Sequence, residues 1–486
     1  MEEVVVVIVG AGPSGLATTA CLTLFSIPNI ILEREDCSSC LWKKRAYDRL
    51  KLHLAKKFCH LPFMPHPSTT PTFISRKAFI KYMDDYASNF KLSPNNVRSV
   101  ESATYNDVMK RWHIEANQKE VYVAEFLVVA TGENSEGYIP KLTGLSSFRG
   151  EVIHSSEYKS GLKYHEKEVL VVGCGNSGME IAFDLASHAH FVQDPVNWMQ
   201  FHVLNKEMVY LGMFLLKYLP ISVVEDPLII FLANFKYGDL TKYGIIRPEK
   251  GPFYLKAATG RSAVIDVGTV KKIKVGQIQV FPAISSIKED GIMFDKGKMH
   301  QFDAILFATG YKSTANNWLK MKHMHANGEA SNVEASMGLE HGGGGGFKQQ
   351  ELWAAWGRSK SSNTLEEKGI ACMGADRNIV ASTGLWHICS QFVSHWTCLK
   401  VIEIEEVHAI SLPDAVQAAA TACSIRSMDY IYCLNNDGMP KNTFPNHWKG
   451  ENGLYCVGLS RRGLFGVSMD VKAIASDIQM VINGKE

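Results

Sequence analysis

An α/β architecture in which one doubly wound unit is inserted into another is predicted by three features of the 486-residue sequence. An apolar run followed by G-x-G-x-x-G occurs twice, at Gly10-Ala11-Gly12-Pro13-Ser14-Gly15 and at Gly173-Cys174-Gly175-Asn176-Ser177-Gly178. An apolar run ending in Ala-Thr-Gly also occurs twice, at Ala130-Thr131-Gly132 and Ala308-Thr309-Gly310. These features alternate along the chain, and strand-like sequence resumes at Gly453. That order describes two nested nucleotide-binding units of the Rossmann-like kind.

The first element is Val4 to Val9, a β-branched run suited to a strand buried on both faces. It leads straight into the first glycine loop, and Leu16 to Leu24 reads as a helix. Gly10 permits the tight turn, Gly12 admits a pyrophosphate, and Gly15 lets the helix pack on the strand. Pro13 and Ser14 complete the candidate cradle, and the helix N-terminus offers free N–H groups to phosphates. Ile30-Ile31-Leu32-Glu33 is a second strand. It ends in an acid roughly 20 residues on, where a ribose hydroxyl needs an acceptor. This fingerprint so near the N-terminus points to FAD.

Cys37-Ser38-Ser39-Cys40 follows. Near a flavin it suggests a redox pair, but no second feature of a disulfide reductase accompanies it, so two loop thiols are expected. Trp42 and Tyr47 to Leu54 are candidates to lie over a flavin ring or to pack in a core. Leu61 to Pro67 reads as a proline-rich surface loop, and Arg76 to Phe90 as a helix by its apolar spacing. Residues 97–123 break into short strand-like pieces, and Glu125 onward is a buried strand ending at Thr131-Gly132, beside the first nucleotide. Glu133-Asn134 leads out of the domain.

Glu168 to Val172 is the strand before the second loop, and Met179 to Ser187 is the helix after it. A second dinucleotide beside FAD is most simply a nicotinamide nucleotide, with Gly173, Gly175, Asn176, Ser177 and Gly178 as its cradle and Thr309-Gly310 at the neighbouring strand end. From 321 to 428 the texture changes, with five consecutive glycines at Gly342–Gly346, and a poorly ordered insertion is expected. His387, Cys389, His395 and Cys398 match no familiar zinc spacing, so no metal is expected. Gly453 to Gly458 resumes as a strand, Arg461 to Gly466 reads as a turn, and Val471 to Ile482 as a helix closing over the flavin.

Composition narrows the class. Hydrophobic content of 46% and charged content of 21% describe an ordinary globular chain, and a net charge of +2 gives no reason to expect nucleic acid as a partner. The eleven cysteines are scattered and no secretion signal precedes them, so reduced thiols and a cytoplasmic setting are expected. Met213 to Phe235, the most apolar later region, is interrupted by charges and prolines. A spanning helix is therefore not expected, while peripheral membrane contact stays open.

Between the two loops stands Phe148-Arg-Gly150-Glu-Val-Ile-His154-Ser-Ser-Glu-Tyr158, which fits F-x-G-x-x-x-H-x-x-x-Y and resembles the identifying motif of class B flavin-containing monooxygenases. With Ala130 to Asn134, Glu207 to Gly212, Ala308 to Lys312 and Gly453 to Gly458, the chain resembles the plant YUCCA-type branch. The resemblance implies FAD and NADPH as cofactors. It also implies oxidative decarboxylation of an aromatic α-keto acid, indole-3-pyruvate, with O2 to indole-3-acetate (auxin) through a C4a-peroxyflavin. The flavin carries that chemistry, which fits the lack of a Ser-His-Asp or paired-carboxylate pattern. Asn134 is the one side chain singled out for a catalytic role.

The expected division is an FAD-binding domain over 1–160, 301–320 and 429–486, an NADPH-binding domain over 161–300, and the insertion over 321–428. Two stretches depart from the family pattern: that insertion, and 188–200, which lacks the Arg that meets the NADPH 2′-phosphate and carries Asp194-Pro195 instead. Three other readings stay open: N- or S-hydroxylation, disulfide reduction, and a flavin-binding but inactive variant.

Overall fold

The computed structural model describes residues 1–188, 191–195, 201–259, 262–295, 297, 299–320 and 434–484, with backbone alone at 191–195, 221–222, 225–227 and 257–259. The chain divides into two compact units, 1–322 with 430–486, and 323–429. The second unit, the expected insertion and its four candidate metal ligands lie outside the described residues.

The valine run forms β1 (Glu2–Val9), followed by α1 (Pro13–Leu24), β2 (Asn29–Leu32), α2 (Arg76–Asn89), β3 (Val100–Asn106), β4 (Arg111–Ala116) and β5 (Glu120–Val129). The sheet order is β2-β1-β5-β4-β3, with Val9 opposite both Leu32 and Val129 in parallel register and β3-β4-β5 antiparallel. Both faces of β1 are covered. Val6 and Ile8 enter the core shared with Leu16 of α1 and Phe79 of α2, while Val7 and Val9 enter another core with Trp112 and Trp318. That is why the run shows no polar alternation. The pieces read over 97–123 are a hairpin plus the first half of one ten-residue strand, β5, which continues unbroken to Val129.

A second sheet holds β6 (Glu151–His154), β7 (Glu168–Val172), β8 (Phe191–Pro195), β9 (Ile278–Phe281) and β10 (Ala304–Phe307) in the order β9-β8-β7-β10-β6, all parallel. α3 (Asn176–Leu185) links β7 to β8. The irregular stretch 188–200 therefore supplies a strand, with Val192 paired to Val169 and Ile278 and with Asp194 and Pro195 at its end. In β7 and β10, Val169, Val171, Ala304 and Leu306 face one core while Leu170, Ile305 and Phe307 face another.

The chain returns to the first sheet through β11 (Leu454–Cys456), parallel to β5 at Leu127–Val129, and ends in α4 (Gly463–Asn483), packed on α1. The segment read as a turn through Gly466 is thus already helix from Gly463, whose φ of +59° makes the corner at the helix start. Among the described cysteines, Cys21, Cys37, Cys40 and Cys59 are free thiols, whereas Cys456 is disulfide-bonded, against the expectation of thiols throughout.

Candidate functional site

The two glycine loops have one geometry. Gly10 and Gly173 have φ of +109° and +115°, where an L side chain is strained. A Cβ on Gly10 would lie 2.7 Å from the Ala130 carbonyl oxygen, and one on Gly173 would lie 2.5 Å from that of Ala308. Each loop is therefore pressed against its own Ala-Thr-Gly strand end. A Cβ on Gly15 would meet the Gly10 oxygen at 1.8 Å, and one on Gly178 the Gly173 oxygen at 1.6 Å. Gly12 and Gly175 differ from these, with ordinary φ of −75° and −70° and nothing within 4 Å of an added Cβ. They cap α1 and α3 without a side-chain hydrogen bond, and neither first turn holds an acid. Two helix N-termini thus face open space with their positive ends unneutralised by their own first turns, which suits a phosphate.

Beyond the ends of β1 and β5, Gly132 has φ +75° with open space beside it, and Thr131 Oγ1 is buried without a partner. Gly310, at the corresponding end of β10, has φ +87° and is equally open. Glu33 is buried, and its Oε2 accepts from Ala11 N at 2.6 Å while Oε1 accepts from Glu35 N at 3.0 Å. The acid therefore fixes the glycine loop itself, and its remaining lone pairs can still accept from a ribose hydroxyl. Pro13 starts α1, and Ser14 is buried against Gly458, where an added Cβ would lie 2.2 Å from Ser14 Oγ. In the second loop Asn176 spans to a neighbouring strand, accepting from Ile265 N at 2.7 Å and donating to Ala263 O at 3.1 Å, and Ser177 beside it is half-buried. Thr309 Oγ1 donates to the Tyr138 carbonyl.

Trp42 stacks edge-on against Phe79 of α2 with centroids 4.6 Å apart, and so belongs partly to the core under the first loop. Asn134 is exposed. Sequence reasoning missed Ser135, Arg34 and Arg45. Both arginines donate to the Ser135 carbonyl, and Ser135 Oγ lies 2.8 Å from the Thr131 and Gly132 carbonyls, so the ends of β2 and β5 are tied together. Glu133 lies within electrostatic reach of Lys256, on the helix Pro252–Thr259, where burial lowers the Lys256 pKa.

The four motif residues make the joint between the linker that follows the first sheet and the elements of the second. Phe148 is buried among Leu170, Ile305 and Phe307. Gly150 sits where a Cβ would lie 2.5 Å from the Asp303 oxygen. His154 Nδ1 accepts from Ser156 N at 3.2 Å, so Nε2 carries the proton and donates to the Gly310 carbonyl at 3.0 Å. Burial keeps its pKa below the usual 6.5. Its ring also fills the space a Cβ would need at Gly137, in the short ribbon Glu136–Gly137 paired with Tyr311–Lys312. Tyr158 donates to Asp184 at 2.6 Å, and burial raises its pKa. Nearby, Tyr47 donates to the buried Glu180 at 2.9 Å and Arg49 pairs with Asp184 at 3.5 Å, binding the segment at Tyr47 and Arg49 to α3. No sequence signal marks these two carboxylates.

The Cys37 and Cys40 thiols are both raised, Cys40 to about 12, by burial first and by neighbouring acids such as Asp36 and Glu35 second. A redox dithiol needs a lowered pKa at its attacking sulfur, so the environment is wrong for that chemistry. Among the described residues no helix is long and apolar enough to cross a membrane.

Residues 3–322 match the model of the flavin-binding monooxygenase-like family. Probable indole-3-pyruvate monooxygenase YUCCA10 of Arabidopsis thaliana is 41% identical over 490 residues, covering 99% of this chain and 98% of that protein. Indole-3-pyruvate monooxygenase YUCCA6 of the same plant is 35% identical, over 97% of this chain and 89% of that protein. A flavin monooxygenase structure from Stenotrophomonas maltophilia shares the fold at a TM-score of 0.57 and 14% identity, covering 99% of this chain and 100% of that one. An oxidized steroid monooxygenase bound to NADP shares it at a TM-score of 0.54 and 18% identity, covering 68% of this chain and 75% of that one. The chain belongs to the flavin-binding monooxygenase-like family, on its YUCCA-type branch.

Proposed function

We propose that this enzyme converts indole-3-pyruvate, O2, NADPH and a proton to indole-3-acetate, CO2, water and NADP+, and so makes auxin in the cytoplasm. FAD is held by Gly10, Gly12, Pro13, Ser14 and Gly15, with Glu33 at the ribose and Trp42, Thr131 and Gly132 along its length. NADPH is held by Gly173, Gly175, Asn176, Ser177 and Gly178, with Thr309 and Gly310 beside it. The observation that carries this reading is the pair of matched glycine loops, each opening an uncapped helix N-terminus onto free space, in a chain 41% identical to a probable indole-3-pyruvate monooxygenase.

Hydride uptake from NADPH and activation of O2 are the chemistry the flavin supplies when bound. The chain's part is to bind and orient. The helix N-termini take the pyrophosphates, Glu33 fixes loop and ribose together, and the His154–Gly310 bond holds the second strand end against the joint. No side chain is assigned as general acid or base.

Anaerobic mixing with NADPH tests the cofactor half: the flavin absorbance should bleach, and failure to bleach in FAD-loaded protein would favour the inactive variant. Admitting O2 with indole-3-pyruvate tests the substrate half. CO2 and indole-3-acetate should appear in equal amounts, and NADPH oxidation without CO2 would point instead to N- or S-hydroxylation.

A further inference from the structure

We propose that the face built by helix Lys206–Leu215, segment 57–63 and the first half of α4 docks on an anionic membrane surface. The face is continuous. Phe58 lies 6.4 Å, ring to ring, from both Tyr210 and Phe465, and Phe214 lies 5.5 Å from Tyr218. Met469 follows Phe465 by one turn of α4, and Ser468 donates to the His60 carbonyl, closing the helix onto the segment. Phe58 is buried beneath, but its neighbours are not: Tyr218 is 72% exposed, Phe63 57%, Phe214 and Phe465 41% each.

Large rings turned to water in a row mark an interaction surface rather than a core. The charges around them identify the occupant. Lys57 Nζ lies 4.2 Å from the Tyr210 ring and 5.0 Å from that of Phe214, Lys217 Nζ lies 5.6 Å from Phe58, and Lys472 Nζ lies 5.9 Å from Phe63. Among the described residues, three ammonium groups rim the rings, while Glu207 stands a turn before Tyr210 and the Asp470 carboxylate on α4 is buried away from water. Amphipathic rings ringed by lysines suit a headgroup layer, where the rings enter the boundary and the lysines meet phosphate. A protein partner's apolar groove would not explain why the cations crowd the rings. Attachment of this kind is peripheral, and among the described residues no helix is long and apolar enough to span.

The test uses the full-length, FAD-loaded protein with vesicles of phosphatidylcholine, either alone or mixed with phosphatidylserine. The expected result is co-sedimentation with the anionic vesicles, weakened by ~10-fold or more in neutral vesicles and in the Lys57→Gln/Lys217→Gln variant. The Phe214→Ser/Phe465→Ser variant should lose binding to a similar degree while keeping its unfolding temperature and NADPH oxidation. Val108→Ser, on the β3–β4 turn and 93% exposed, should bind as wild type does. Equal sedimentation of all variants, or no sedimentation of wild type, overturns the proposal. So does a dimer in gel filtration that Phe214→Ser/Phe465→Ser dissociates, since the face would then join two copies.

Discussion

Gly175→Ala separates nucleotide binding from folding. Gly175 has φ −70° and ψ −175°, which alanine adopts freely, and its added Cβ meets nothing within 4 Å. The stability cost is then that of a poorer helix N-cap, about 1 kcal/mol. The methyl group does, however, stand in the space through which a pyrophosphate reaches the N–H groups at the start of α3. Holding one phosphate oxygen off its donors forfeits one or two charge-assisted hydrogen bonds, about 3 kcal/mol, or roughly 100-fold in NADPH affinity. Flavin content should not change, because Gly12 and its loop are untouched. Gly178→Ala provides the contrast: its Cβ would lie 1.6 Å from a backbone oxygen, so the helix must shift off the strand. A loss of about 3 kcal/mol or more in stability is expected there. Thermal unfolding and anaerobic flavin reduction against NADPH concentration measure both effects. Unchanged NADPH dependence in Gly175→Ala, or a collapse of its stability, would refute the reasoning.

Three further outcomes follow from the site. His154→Ala removes the bond to Gly310 and leaves the Ser156 N–H without its acceptor, so a loss of about 2–4 kcal/mol by chemical denaturation is expected, and a neutral result would remove His154 from the joint. His154 and His66 are both held below 6.5 by burial. The unfolded chain therefore binds more protons than the folded one as pH falls below about 6.5, so their share of the stability is complete above that pH and declines below it. A melting temperature that rises between about pH 7 and pH 5.5 would contradict the sign. Cys37→Ser/Cys40→Ser should retain turnover, since neither raised thiol supplies a thiolate, and loss of all turnover would restore the disulfide-reductase reading.

The glycine loops and apolar runs were legible because each depends on residues adjacent in sequence: a turn, an uncapped helix start, a strand covered on both faces. The strand Phe191–Pro195 was not, because its composition is irregular and what makes it a strand is pairing to Val169 and Ile278 on either side. The start of α4 was misplaced because a glycine-rich run reads as a turn, whereas Gly466 here packs within a helix against Ser460 and Arg462. Glu33 was placed at the right strand end, but its bond to Ala11 N could not be foreseen from spacing alone. Arg34, Arg45 and Ser135 escaped notice entirely. Their partners lie 90 and 101 residues apart in the chain, and no local pattern encodes such a meeting.

The Phe148–Tyr158 motif carried the family resemblance, and its geometry explains why four fixed positions can be more telling than either glycine loop. A glycine loop satisfies one turn and one helix start, so many folds can use it. The motif residues each meet a different element: Phe148 the hydrophobic layer under β7 and β10, Gly150 the chain at Asp303, His154 the Gly310 carbonyl, and Tyr158 the Asp184 carboxylate on α3. Three of these four contacts fail if a side chain is lengthened, shortened or stripped of its hydrogen-bonding atom, and the fourth fails if any side chain is added at Gly150. They also share a consequence. Gly310 ends the strand beside the second loop and α3 begins at that loop, so the motif fixes both walls of the proposed nicotinamide cradle relative to the linker that follows the first sheet. On the proposed assignment of the two loops, hydride must pass between two separately bound nucleotides, a step whose rate depends on their proximity and orientation, and the motif is what positions the second loop for it.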